Sequence, residues 1–120
     1  MNMVLSMALL AVSFGASGQG TPADLHQVQA IVEGTRTPQH AHAAAIVLRQ
    51  QPGVVMCRVD HNTRNLLMHV TPDCTLSGNT MQDLLAPLQM SLRCYERRPL
   101  VPGSFRHLDP RDCGIGPEAR

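Results

Sequence analysis

LHQVQAIVEGTRTPQHAHAAAIVLRQQPGVVMCRVD, residues 25–60, changes its periodicity twice, and those changes decide the fold. From Leu25 to Glu33 apolar and polar residues alternate, with Val28, Ala30 and Val32 on one side and Gln27, Gln29 and Glu33 on the other. A period of two is that of a half-buried strand. Gly34 ends it, and Thr35-Arg36-Thr37-Pro38 reads as a loop. From Gln39 the spacing becomes helical, placing Ala41, Ala44, Ala45 and Leu48 on one face, and the run Ala43-Ala44-Ala45 favours helix strongly. Pro52-Gly53 stops the helix. Val54 to Asp60 alternates again as a second strand, with Val55, Cys57 and Val59 sharing a face.

Beyond this segment the pattern repeats. His61 to Asn65 has turn chemistry, and Leu66 to Thr71 forms a third strand with Leu66, Met68 and Val70 on one face. Pro72-Asp73-Cys74 breaks that strand. Ser77 suits a helix N-cap, and Met81, Leu84, Leu85 and Leu88 make an apolar stripe at helical spacing. Met90 to Glu96 alternates as a fourth strand, with Met90, Leu92 and Cys94 facing one way and Ser91, Arg93 and Tyr95 the other. From Pro99, four Pro and three Gly in 22 residues predict an irregular C-terminal tail. The order strand, helix, strand, strand, helix, strand predicts an α+β chain, a ferredoxin-like βαββαβ sandwich. Its four-stranded antiparallel sheet carries both helices on one face and leaves the other open.

The first eighteen of the 120 residues carry no charged side chain. Their apolar run, Met3 to Val12, has signal-peptide length and precedes the small residues Gly15-Ala16-Ser17-Gly18. The expected organisation is a signal peptide over 1–18, a linker over 19–23, one domain over 24–98 and a tail over 99–120. Export implies a periplasmic or extracellular location, peripheral to a membrane complex, with no transmembrane segment after cleavage. Ten Arg and no Lys against nine acids give a net charge of +1, which excludes a basic nucleic-acid footprint. With only one Tyr and two Phe, the core must be aliphatic and Met-rich.

These residues resemble the heavy-metal-associated (HMA) domain of copper chaperones and metal-transporting ATPases, from about Asp24 to Arg98. Val32-Glu33-Gly34 is similar to the family's strand end before its metal loop. Leu48-Arg49-Gln50-Gln51-Pro52-Gly53-Val54 is similar to its junction from first helix to second strand. Val59-Asp60 through Asn65 resembles its hairpin, and Thr75-Leu76-Ser77 entering Met81, Leu84 and Leu85 resembles its second helix. The family's loop carries CxxC, whose thiolates hold a soft cation such as Cu(I). Thr37 and His40 stand at those positions here. The metal loop is therefore degenerate, since a hydroxyl and one imidazole do not replace two thiolates. The nearby ligand candidates are His40 and His42, for copper or zinc. Their alternative reading is a pair of solvated histidines at a helix start, because residues two apart point in nearly opposite directions on a helix.

Four cysteines in an exported chain raise the question of disulfides. Cys57 and Cys94 fall on predicted core faces of strands at opposite edges of the sheet, roughly 14 Å apart across three strand spacings. That is beyond disulfide reach, so both read as buried thiols. Cys74 in a loop and Cys113 in the tail are the favoured pair, with Cys94–Cys113 second. On the open face the pattern places Ile31, Met56, Arg58, Leu67, His69, Arg93 and Tyr95. This is either a docking surface for a protein partner or the ordinary apolar content of an exposed sheet. No catalytic constellation emerges. Two functions follow from the sequence. The first is a non-enzymatic, exported HMA-like module without a cofactor, a protein-interaction or structural subunit of an envelope assembly. The alternative is an exported chaperone-like protein that binds copper or zinc through His and Cys ligands.

Overall fold

A computed structural model describes residues 24–111 and Cys113. The expected signal peptide and linker, and the end of the tail, lie outside the described residues. Strand β1 (His26–Glu33) leads to helix α1 (Pro38–Arg49), then β2 (Val54–Val59), β3 (Asn65–Val70), helix α2 (Gly78–Leu85) and β4 (Ser91–Pro99). A 3-10 turn over Ala86–Leu88 extends α2. The strands form one antiparallel sheet in the order β2-β3-β1-β4. This is the expected ferredoxin-like arrangement, with β1 and β3 central. Among the described residues no helix is long and apolar enough to cross a membrane.

The predicted periodicities account for the helix-side core. Val28, Ala30 and Val32 of β1 pack with Leu66, Met68 and Val70 of β3, beneath Ala44 and Leu48 of α1 and Met81 and Leu85 of α2. Small alanines let α1 lie close to the sheet, and unbranched Met fills the remaining gaps. Thr37 caps α1, its Oγ1 accepting from the His40 amide at 3.0 Å, and Ser77 caps α2 by accepting from Thr80 at 3.2 Å. Cys57 is 1% exposed among these aliphatic groups, and burial pushes its thiol pKa up to about 12.

Two bulges break the strict alternation. In β4, Gln29 pairs with Glu96 but Ile31 pairs with Arg93, so Cys94 and Tyr95 together oppose Ala30. Cys94 takes a left-handed φ of 60° at this extra position. The phase therefore flips after it, and Tyr95 lands on the helix side rather than on the outer face expected for it. There it packs against the core, and a Cβ on Gly78 at the start of α2 would lie 3.2 Å from its ring. In β2 the register shifts between Val54 and Met56, which turns Val55 out to 55% exposure instead of joining Cys57 on the core face.

The second face of the sheet is not open over its centre. The tail leaves β4, turns at Gly103 and runs back across the outer side of β1. Gln27 Nε2 donates to Ser104 O at 3.2 Å, and Ser104 Oγ donates to Gln27 Oε1 at 2.9 Å. Gln29 and Asn65 each grip the tail main chain at two points. Gln29 donates to Arg106 O at 2.6 Å and accepts from Arg106 N at 3.4 Å; Asn65 donates to Leu108 O at 3.0 Å and accepts from Leu108 N at 2.8 Å. Gln27 and Gln29 are consequently 2% exposed and Ile31 is fully buried. The expected Cys74–Cys113 pairing is replaced by Cys94–Cys113, with 5.7 Å between the Cα atoms. The tail lies on the outer face and returns to the β4 edge, whereas Cys74 is turned into the helix-side core with its Sγ 3.4 Å from Pro52 O. Cys94 accordingly is not the buried thiol expected; its bulge presents it to the tail.

An ion cluster joins β1, β4, the turn that precedes β3 and the tail. Glu33 accepts from Arg64 Nη1 at 2.6 Å and from Arg93 Nε and Nη2 at 3.0 and 2.6 Å. Arg93 also donates to the carbonyls of Pro110 at 2.8 Å and Cys113 at 3.0 Å. The Arg93 hydrogen bond, with Arg64 adding to it, holds the Glu33 carboxyl below its ordinary pKa of 4.5. A depressed carboxylate pKa contributes stability that is fully present above the unfolded value and lost as the pH falls through the folded one. Glu33→Gln is therefore expected to lower stability by about 1 kcal/mol at neutral pH, a modest figure because the cluster is partly solvated. Urea titrations across the acid range should show the gap between the two proteins closing as the pH falls below that of free carboxylates. A gap independent of pH would remove the charge from the account.

Gly34 makes a second, sharper test. Its φ is 98°, and a Cβ there would lie 2.6 Å from Gln89 O, so both backbone conformation and space exclude a side chain. Gly34→Ala should destabilise by about 2 kcal/mol or more, measured by the same urea midpoint. An unchanged midpoint would mean that the loop does not close on Gln89 as described.

Candidate functional site

The loop between β1 and α1, where the resemblance places metal, is built from Gly34 to His40. Pro38 starts α1, where its missing N–H leaves no bond unmade, and Thr37 is committed to the cap. His40 is committed as well. Its Nδ1 accepts from the Arg36 amide at 3.1 Å, and its Nε2 lies 2.8 Å from Leu88 O. That pair of contacts selects the tautomer protonated at Nε2 and leaves no ring lone pair directed to solvent. Arg36 Nη2 in turn donates to Gln89 Oε1 at 2.5 Å. The loop is thus fastened to the turn that follows α2. Both positions that carry thiolates in the resemblance carry structural hydrogen bonds here.

His42, two residues on, is exposed and does not meet His40. It shares a shallow depression with Pro38, Arg49, Cys57 and Arg58. His42 and Cys57 are the two groups there with soft-metal ligand chemistry. A thiol with a pKa near 12 and two neighbouring guanidinium groups oppose a bound cation. Among the described residues no three of His, Cys, Asp or Glu converge as a metal-binding group.

The expected docking residues separate into two groups. Met56 pairs with His69 and Arg58 with Leu67 across β2 and β3, so these four share the outer face at that edge, Arg58 exposed and the other three half-buried. Burial, and then the charge of Arg58, lower the His69 pKa. Ile31 is covered by the tail, Arg93 is tied to Glu33 and the tail carbonyls, and Tyr95 is on the opposite face. Sequence reasoning missed Gln27, Gln29 and Asn65, which hold the tail. Their signal was present as amides on a strand face that nothing else required to be polar, but water satisfies an amide equally well. Only the path of the tail distinguishes the two.

No family model matches this chain, and no curated protein matches it. Solved structures do. The CopZ metallochaperone is 17% identical, with a TM-score of 0.50, over 55% of this chain and 97% of that one. A protein from Bacillus anthracis described as copper-ion-binding is 11% identical, with a TM-score of 0.52, over 59% of this chain and 99% of that one. The N-terminal soluble domains of Bacillus subtilis CopA are 19% identical, with a TM-score of 0.50, over 57% of this chain; the match spans 46% of that chain. At such identities the likeness is one of fold. It matches the ferredoxin-like architecture described above.

Proposed function

We propose that this chain is a non-enzymatic, exported binding module on an HMA-type fold, in which the metal loop has become a structural joint. The observation that carries this reading is the double engagement of His40 beside the capping role of Thr37. A fold keeps its shape when its site chemistry changes, so function must be argued from the residues now present. The uncharged N-terminal stretch and the Cys94–Cys113 bond both suit an oxidising, envelope or extracellular setting. The outer strip of Met56, Arg58, Leu67 and His69, half-buried apart from the exposed Arg58, combines apolar area with a guanidinium, a composition suited to a protein partner in an envelope assembly.

A second reading, binding of copper or zinc in chaperone-like fashion, is favoured by neighbours described as a metallochaperone and as a copper-ion-binding protein, and by His42 and Cys57 lining one depression. Titration of the full chain with Cu(I), Cu(II) and Zn(II) separates the two. The first reading expects no tight stoichiometric binding in either the oxidised or the reduced protein. Tight one-to-one binding that His40→Ala with His42→Ala abolishes would overturn it; loss on Cys57→Ser with His42→Ala would instead move the metal to the depression. For the interaction itself, a photocrosslinking residue at Leu67 should yield a discrete adduct in the native envelope fraction, and one at Asn79 on the helix side should not. Equal labelling from both positions would count against the strip.

A further inference from the structure

We propose that Cys94–Cys113 is a redox latch, and that opening it releases the strap formed by Ser104–Arg111 from the outer face of β1 and β3. Three independent features support this. First, the surface beneath the strap is suited to being either covered or wet. Gln27, Gln29 and Asn65 hold the strap through amide contacts that water can replace one for one, and Ile31 is the apolar residue among them. A strap over an aliphatic face would have no soluble open state. Second, the strap carries little apolar anchorage of its own. Its two large apolar residues are Phe105, 43% exposed, and Leu108, half-buried, and its polar contacts trade with water while ordering the chain opposes them. Covalent closure between Cys94 and Cys113, nineteen residues apart, removes much of that entropic opposition. Third, neither cysteine of the pair is buried, and Cys94 sits at the β4 bulge, outside the regular ladder, where an external thiol can approach it.

The opening step is thiol–disulfide exchange with an external dithiol. One thiolate of the dithiol attacks a sulfur of the pair and forms a mixed disulfide, expelling the other cysteine as a thiolate that takes up a proton. The second thiol of the dithiol then loses its proton and attacks that mixed disulfide, releasing the remaining cysteine. Two electrons pass to Cys94 and Cys113, which become thiols, and the dithiol becomes a disulfide. Arg93 loses the Cys113 and Pro110 carbonyls but keeps Glu33, so the strands stay joined. Cys57 and Cys74 remain in the helix-side core and take no part.

Trypsin reads the strap directly, because Arg106 and Arg111 lie in it while Arg49 and Arg58 report on the domain. In the full chain, reduction by dithiothreitol should speed cleavage after Arg106 by about tenfold or more, with amide-exchange protection of Val28 and Met68 retained. The Cys94→Ser with Cys113→Ser chain should behave as the reduced protein does. Coupling provides the second measurement. Because docking and oxidation favour one another, Gln29→Ala with Asn65→Ala should shift the thiol–disulfide equilibrium towards the dithiol form by about tenfold in a dithiothreitol redox buffer. The proposal is overturned if Arg106 stays protected once both thiols are free. It is also overturned if core protection is lost with the bond, which would make the disulfide a structural staple, or if the double amide variant leaves the redox equilibrium unchanged.

Discussion

The central place of β1, paired on both edges and covered on both faces while Cys94–Cys113 is closed, is the constraint around which the structure is arranged. As a central strand it pairs with β3 on one side and β4 on the other. Its valines and Ala30 are covered by the helices, and its glutamines and Ile31 by the tail. A single layer of helices would leave Ile31 in water beside two amides. The tail resolves that mixture by offering main-chain donors and acceptors to the glutamines while excluding water from the isoleucine. A buried polar group is tolerable only with a partner, and the extended backbone of the tail supplies one at every second residue. The Pro- and Gly-rich composition of the tail does not prevent this, because the bonds are made by side chains of the sheet to the tail's main chain, not by a continued ladder.

The same economy of bonds governs the β1–α1 loop. In an HMA-type architecture this loop stands at the end of the sheet, where a pair of thiolates needs freedom to close around an ion. Here the loop is held instead. Gly34 approaches Gln89 too closely for any side chain, Thr37 caps the helix, and His40 bridges Arg36 to Leu88. Each contact uses an atom that ligation would require or restricts a movement that it would need.

How much was legible in the sequence depended on whether a residue's role was local. Val28, Ala30, Leu48 and Met81 announced their faces through periodicity, and Ser77 announced its helix through capping chemistry, because those signals are complete within a few residues. Tyr95 departs from its alternation because a bulge adds one residue and inverts every face after it, and nothing in Arg93-Cys94-Tyr95 marks the inversion. The same bulge takes Cys94 off the core face that alternation gives it, because its left-handed conformation interrupts that alternation. At the candidate site, the absence of the two thiolates was plain from Thr37 and His40, but the bonds that occupy His40 come from Leu88, far along the chain.

The sequence by itself determined the order of elements, the aliphatic composition of the helix-side core and the absence of cysteine from the β1–α1 loop, because each is a property of residue type and near-neighbour spacing. Only the tertiary structure decided which side of the sheet the tail covers, which cysteine it meets and whether His40 is available to a ligand. Those outcomes depend on contacts between segments dozens of residues apart, such as Gln27 with Ser104 and Asn65 with Leu108. An amide on a strand is equally content with water or with a peptide, so its partner is settled by where the chain returns in space.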